Sequence, residues 1–517
     1  MEAYIDDYFC DIQHLGSRLL SILRTMEKGL ADSSNCIPML PTYCDIPNRD
    51  ESGVVLALDF GGTNFRCLLL RLDHGLVSES RQKSRFVDPK TPTGDELFGI
   101  LADFTSEFLQ NNIDFFGGAF PEQLNTGFTF SFPMNQHSLT SGFLIHWTKE
   151  FIASGVVGYD VADFIQSKLI EKGFGWVKIC ALCNDTVGAL CAGIIEHKDA
   201  KIGVIIGTGT NAAYRERTDD IVKIMKKMNE QGSSQEQEQV LDHILINTEW
   251  GEYDGFHDTE ADLIVLDKTK HVGDERFEKK TSGMYLPMIA RESIRNWIDN
   301  RWIFQNYGGK NANDLFEEWD SKNELSPLEI EFSVRDESAD LNYLKKTLLS
   351  KLTLKIGSES LILVIIQKLF KGIVERSSRY SAVMVVAVAL HVHILETEES
   401  LQTLIVFDGS IYNKYVGYKD ELQKSIDRCI ELHCQPEHIV EVAKALRRGK
   451  NEQERNLLYR RLLKRKIEIK CYSTSDGSGI GAGIVTATAT KASSASASKT
   501  ATSGLGETAN VQVLKTE

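Results

Sequence analysis

The residue types best placed to do chemistry in this 517-residue chain stand where apolar strands are broken by glycine. The stretch Val54 to Leu70 is one apolar strand, then Asp59-Phe60-Gly61-Gly62-Thr63-Asn64, then a second strand. Two adjacent glycines let the backbone bend so that successive N–H groups face an anion, and Thr63 and Asn64 add donors. Asp59, at the strand end, stands where a metal-bound polyphosphate needs a carboxylate. Ile202 to Tyr214 repeats the device around Gly207-Thr208-Gly209-Thr210-Asn211, and the strand Thr403 to Phe407 runs into Asp408-Gly409-Ser410. One such turn is as readily an ordinary hairpin. Three, far apart, predict a duplicated architecture in which two lobes each offer a loop to one nucleotide across a cleft.

A phosphate clamp needs a base and an acceptor pocket before it specifies a reaction. Cys183-Asn184-Asp185-Thr186-Val187-Gly188 follows a buried strand and precedes a small-residue helix, which puts Asn184 and Asp185 at the strand's carboxyl end, where open α/β sheets keep their ligands. A plain helix cap is the other use of an Asp at that position. The strand Gly127 to Pro133 carries Ser131, Ile145-His146-Trp147-Thr148-Lys149 follows it, and carboxylates come from Asn247-Thr248-Glu249-Trp250-Gly251 and Phe277-Glu278-Lys279.

With these motifs in this order, from about Cys36 to Val485, the chain resembles the eukaryotic hexokinase family, the ATP-dependent kinases of glucose and related hexoses. The resemblance implies a two-lobed actin-like ATPase (ribonuclease H-like) α/β fold with a deep cleft between the lobes. It implies a sugar surrounded by Ser131, Thr148, Lys149, Asn184, Asp185, Asn211, Glu249 and Glu278, with Asp185 as the base that takes the proton of the 6-hydroxyl. Lys149 would hold Asp185 ionised and face the developing charge. Such a pocket suits a polyhydroxylated ring, because every buried hydroxyl must find a partner.

On the nucleotide side the resemblance points to Asp59, Gly61, Gly62, Thr63, Asn64 and Arg66 in the first loop and to Thr208 and Gly209 in the second. Asp408-Gly409-Ser410 and Gly477-Ser478-Gly479 look like adenosine-side turns, and Ser377-Ser378-Arg379 like the start of a neighbouring helix, with Ser378 among the nucleotide contacts. ATP is expected as MgATP, with no resident metal. Glucose is the first expected acceptor; the alternatives are a sugar sensor with weak or no catalysis and a kinase preferring an amino sugar. The chain departs from the family at Glu252-Tyr253-Asp254, at His271-Val272-Gly273-Asp274-Glu275 and at Leu286-Pro287-Met288, where Ala-Phe-Gly, Asn-Pro-Gly and Leu-Gly-Glu are usual.

The elements that must position these residues follow from pattern and length. At 517 residues the chain exceeds what one core serves, and two domains are expected. The reading assigns 1–52 to a lead-in on the large lobe, 53–185 to a small lobe to which 476–485 returns, 186–475 to the large lobe, and 486–517 to an Ala/Ser/Thr tail too poor in large apolar residues to order. Apolar spacing predicts helices over Tyr8 to Leu30, Leu97 to Leu109, Val161 to Lys172 and Met284 to Phe304, and one or two over Leu361 to Leu395. Gly232 to Gln239 reads as a solvated loop, and the basic run Arg447 to Lys470 as a solvated helix face in preference to a docking face. A net charge of −15 argues against wholesale nucleic-acid binding. Ala382 to Leu390, the longest apolar run, falls short of the roughly 20 residues of a membrane span and reads as a buried helix. Ten scattered cysteines and an acidic N-terminus without a signal pattern point to a reducing, cytoplasmic setting, with Cys180 and Cys183 as strand packing.

Overall fold

The computed structural model describes residues 18–61, 64–149, 151–231, 241–269, 272–300, 325–352, 360–395, 402–435, 467–474 and 476–503, with 303, 437, 438, 440, 453 and 460 besides. Its strands are β1 (Leu40–Pro41), β2 (Gly53–Phe60), β3 (Asn64–Asp73), β4 (Leu76–Phe86), β5 (Leu124–Phe130), β6 (Met134–Ser138), β7 (Ser141–Leu144), β8 (Val177–Cys183), β9 (Ala200–Ile206), β10 (Thr210–Arg217), β11 (His243–Asn247), β12 (Gln402–Asp408) and β13 (Glu468–Ser473). One sheet runs β4-β3-β2-β5-β8 and a second β1-β11-β10-β9-β12-β13, with β6 and β7 as a separate hairpin. In the first, β2 pairs antiparallel with β3 and parallel with β5, which pairs parallel with β8. In the second, β9 pairs antiparallel with β10 and parallel with β12, which pairs parallel with β13. The same plan occurs twice, a hairpin whose first strand is extended by two parallel strands, as the repeated strand-turn-strand pattern predicted. Parallel strands covered on both faces read as unbroken apolar runs, which is why β2 and the centres of β9 and β12 are so hydrophobic, whereas β13 at the sheet edge is polar and largely exposed.

Two helices rich in small residues, Asp185–Glu196 and Gly477–Ser503, pack on each other between the sheets, the first against β9 and the second against β2 and β5. Their approach is close enough that a Cβ on Gly481 would lie 2.0 Å from the Gly188 carbonyl oxygen, and one on Gly127 of β5 would lie 2.2 Å from Thr486 Oγ1. This corrects the expectation of disorder from Thr486 onward. The helix continues to Ser503, with Thr486 and Ala487 buried. Small side chains pack here by bringing backbones together, and the hydroxyls of Thr486, Thr488 and Thr490 donate to the carbonyls of Ala482, Ile484 and Thr486, so the composition that looked unable to order is fitted to a crowded site. Residues 504–517 lie outside the described residues.

The remaining helices match their patterns closely: Gly94–Gln110, Val161–Glu171, Leu286–Asp299 and a single helix Ser360–Leu395 in which Ala382 to Leu390 is buried. Of the opening helix, Leu19–Ala31 is described. The expected loop Gly232 to Gln239 and most of the basic run Arg447 to Lys470 fall outside the described residues. No described helix is long and apolar enough to cross a membrane. Under the first sheet, Phe60, Phe130, Phe132, Trp147 and Phe151 form one aromatic cluster, and the Trp147 indole N–H donates to the Ala153 carbonyl at 2.7 Å, which fixes the segment leading into Thr148 and Lys149.

Candidate active site

The carboxyl ends of β5 and β8, the β9–β10 turn and the segments after β11 and β12 open onto one cleft of about 870 Å³. All eight residues expected around a sugar line it: Ser131, Thr148, Lys149, Asn184, Asp185, Asn211, Glu249 and Glu278. Asn184 caps the helix Asp185–Glu196 by accepting from the Thr186 N–H at 3.0 Å, and Asp185, one position on, accepts from the same N–H at 2.9 Å. The Lys149 ammonium donates to the Gly61 and Ser131 carbonyls, both at 2.7 Å, tying the turn after β2 to the segment that follows β5. Burial raises Asp185 above the ordinary carboxylate range; Lys149 opposes the rise and Asp59 adds to it. Lys149 thus favours the ionised form of Asp185, as the sequence reading expects, against the burial of its carboxylate.

Across the cleft, the Asn211 amide donates to Asn247 Oδ1 at 2.7 Å and to Glu249 Oε1 at 3.0 Å, and Asn247 donates to the same Glu249 oxygen at 2.7 Å. Glu278 accepts from the Thr210 N–H at 2.9 Å. A Cβ on Gly209 would lie 2.6 Å from Glu278 Oε2, so a side chain there would displace that carboxylate from its present position. Burial pushes Glu249 up to about 7 and raises Glu278 as well, with neighbouring carboxylates adding to both. Lys149 and Glu249 both have left-handed backbone, at φ 54° and 51°. For non-glycine residues such strain marks positions that the surrounding structure holds for a purpose.

On the nucleotide side, Asp59, Gly61, Asn64, Arg66, Thr208, Gly209, Asp408, Gly409, Ser410 and Ser478 line the same cleft. Arg66 pairs with Asp59 and Asp476 and donates to Ser478 Oγ at 2.7 Å, while Ser478 donates to Asp59 at 2.9 Å. Asp408 accepts from the Gly477 N–H at 3.0 Å, fixing the start of the last helix, whereas Gly479 packs on Leu68 beneath it. Gly62 and Thr63 lie outside the described residues. Ser378 is not brought to the cleft: it is fully buried inside the helix Ser360–Leu395, not near that helix's start, and donates to the Glu375 carbonyl.

Sequence reasoning missed Asn247, Thr210 and Asp476, whose roles are hydrogen bonds to predicted residues. It also left unassigned His146, Glu252 and Glu275, which place ligand atoms within 4.8 Å of one another beside Glu249 and Glu278. The signal for Glu252 and Glu275 was present, since both stand in segments that depart from the family pattern.

Family models described as hexokinase match residues 5–195 and 201–488. Glucokinase-1 of Saccharomyces cerevisiae is 31% identical over 461 residues, spanning 82% of this chain and 90% of the yeast protein. Hexokinase-7 of Oryza sativa subsp. japonica is 32% identical over 413 residues, spanning 78% of this chain and 84% of the rice protein. Among solved structures, a hexokinase from Schistosoma mansoni complexed with glucose matches with a TM-score of 0.75 at 24% identity, over 94% of this chain and 97% of that one, a likeness of fold.

Proposed function

The chain belongs to the hexokinase family and is an ATP-dependent hexose kinase, and from that premise we propose that Asp185 is its catalytic base, with D-glucose as an acceptor and the 6-hydroxyl as the attacking group. The observation that carries this reading is the convergence of eight side chains from well-separated segments on one cleft that also receives the phosphate turns. As the 6-hydroxyl oxygen attacks the γ-phosphorus, its proton passes to an Asp185 oxygen, the bond to the β,γ-bridging oxygen breaks, and ADP leaves. Asp185's raised pKa brings it nearer the working pH, which favours proton transfer. Positioning and charge neutralisation supply most of the remaining catalysis.

Lys149 faces the charge that develops on the transferred group, held by the Gly61 and Ser131 carbonyls. Arg66, Asn64, Thr208, Gly409 and Ser478 bind the nucleotide. Mg²⁺ enters with ATP as part of the substrate and neutralises phosphate charge. Asp59 Oδ1, buried and without a hydrogen bond among the described residues, is an acceptor that fits the ion's water shell. We assign 53–185 with 476–485 to a small lobe and 186–475 with the lead-in to a large one, so that sugar binding draws the lobes together and excludes water. The described cysteines are all free thiols, which supports a cytoplasmic site of action. A coupled assay with MgATP tests the reading: glucose-dependent ADP release with formation of glucose 6-phosphate is expected, and phosphate found on another carbon would overturn the assignment.

A further inference from the structure

Glu278 reaches the cleft from a very short element. The helix Arg276–Thr281 has six residues, and no side chain among the described residues caps its start. A helix of that length is marginal by itself, so what surrounds it sets its position. On the cleft side, Glu278 accepts from the Thr210 N–H, and a Cβ on Gly251 would lie 3.2 Å from Glu278 Cβ. Beneath the helix, Phe277 is fully buried against Trp250 and Phe256, and Phe256 stacks on Tyr380 of the helix Ser360–Leu395 with ring centres 4.3 Å apart. At its end the Thr281 carbonyl accepts from the Ser377 hydroxyl at 2.6 Å.

The face away from the cleft carries charge. Arg276 and Lys280 are four positions apart and share one side of the helix, while Glu278, two positions from each, stands about 200° round the axis, on the other side. Both cations reach Asp258: Arg276 Nη1 donates to Asp258 Oδ2 at 2.7 Å, and the Lys280 ammonium forms an ion pair with Oδ1. Lys280 is buried, so breaking that pair would strand an ammonium away from water. Burial lowers Lys280 from the ordinary lysine range, and Asp258 and Asp262 oppose the fall. Asp258 is itself anchored. It precedes Thr259, whose N–H and hydroxyl both donate to Asp262 Oδ2 at 2.8 Å, and Asp262 takes two hydrogen bonds, at 2.7 and 2.8 Å, from the buried Arg376. A chain of charge therefore runs from the helix Ser360–Leu395 through Asp262 and Asp258 to the back of the helix that bears Glu278.

We propose that Asp258 is a positioning residue for sugar binding: by gripping Arg276 and Lys280 it fixes the face of the helix opposite Glu278 and so sets where the Glu278 carboxylate meets the hexose. Asp258 stands outside the lining of the cleft and acts through the helix alone. The inference rests on the reading above, in which Glu278 contacts the sugar. The grip matters because Asp185, Glu249 and Glu252 line the same cleft and their charge opposes that of Glu278, so the carboxylate keeps its place only if the helix is held from behind.

A double-mutant cycle in the full-length protein tests this, with glucose affinity from calorimetry and the KM for ATP from a coupled assay, on variants shown folded by thermal melting. Glu278→Gln should weaken glucose binding by about tenfold or more, the scale of one charge-assisted hydrogen bond. Asp258→Asn should weaken it by about tenfold and leave the KM for ATP within about twofold of the parent. Added to Glu278→Gln, the same substitution should cost no more than about twofold further, because a residue that acts only through Glu278 then has nothing left to position. Arg276→Gln lies nearer the surface and leaves Lys280 paired; it should show the same pattern at about threefold, and it decides alone if Asp258→Asn does not fold. Unchanged glucose affinity in the folded variants, equal losses with and without the Glu278 carboxylate, or a parallel loss of ATP binding overturns the proposal. A Glu278→Gln variant that binds glucose as the parent does overturns instead the underlying reading of Glu278 as a sugar contact.

Discussion

Replacing Asp185 by Asn removes one proton acceptor and leaves its shape. The carboxamide oxygen still accepts the Thr186 N–H, now 2.9 Å from Asp185 Oδ1, so the start of the helix Asp185–Glu196 is kept. The lost charge lies beside Asp59, Glu249 and Glu278, and its removal relieves their repulsion, so the variant should melt at or above the parent temperature. A positioned general base contributes about a hundred- to ten-thousandfold in rate, or about 3–5 kcal/mol of barrier. The parent needs Asp185 ionised, and burial raises its pKa, so activity should fall as pH drops through a value above the ordinary carboxylate range. The variant should lose that acid limb together with its kcat. A coupled assay across pH, run on protein shown folded by melting, measures both. Turnover within about tenfold of the parent, or an unchanged acid limb, refutes the assignment of Asp185 as base.

Glu249, whose pKa burial pushes up to about 7, binds a proton in the folded protein that the unfolded chain releases near 4.5; stability of the unliganded protein should therefore fall between those pH values, by up to about 3 kcal/mol, and Glu249→Gln should flatten the loss in urea titrations. The buried pair Arg376–Asp262 ties the helix Ser360–Leu395 to the capping box that starts Glu260–Lys268, so Arg376→Ala should cost about 3–5 kcal/mol in denaturant unfolding. Gly409 sits at φ 111°, and an added Cβ would lie 2.4 Å from the Ile206 carbonyl oxygen; Gly409→Ala should lower the melting temperature and weaken ATP binding in calorimetry more than glucose binding. Saturating glucose should lower the radius of gyration in small-angle scattering, since Ser131, Thr148, Lys149 and Asp185 approach the ring from the first sheet's side and Asn211, Glu249 and Glu278 from the second's; an unchanged radius in active protein would refute closure.

Local chemistry made much of this legible in the linear chain. A glycine-broken strand announces itself by composition, and a parallel strand covered on both faces must be apolar throughout, so β2, β3, β9, β10 and β12 and their turns were readable, as were Asn184 and Asp185 at a strand's carboxyl end. The order of the motifs identified the family, and the eight positions it implies for the sugar all line one cleft. What depends on distant neighbours was not readable. The Ala/Ser/Thr stretch after Val485 looked unable to order because its packing comes from backbone approach to Gly127 and to the helix of Gly188, neither of which its own composition encodes. Ser378 read as a site residue by local pattern, but the long helix around it buries its hydroxyl. The pKa of Asp185 turns on how deeply the cleft encloses it and on where Lys149 spends its hydrogen bonds, both properties of the assembled walls. His146, Glu252 and Glu275 are separated in sequence by 106 and 23 residues and meet only because two sheets face each other; residue types and spacing specify each strand and turn, while the energy of a buried charge is set by everything the fold places around it.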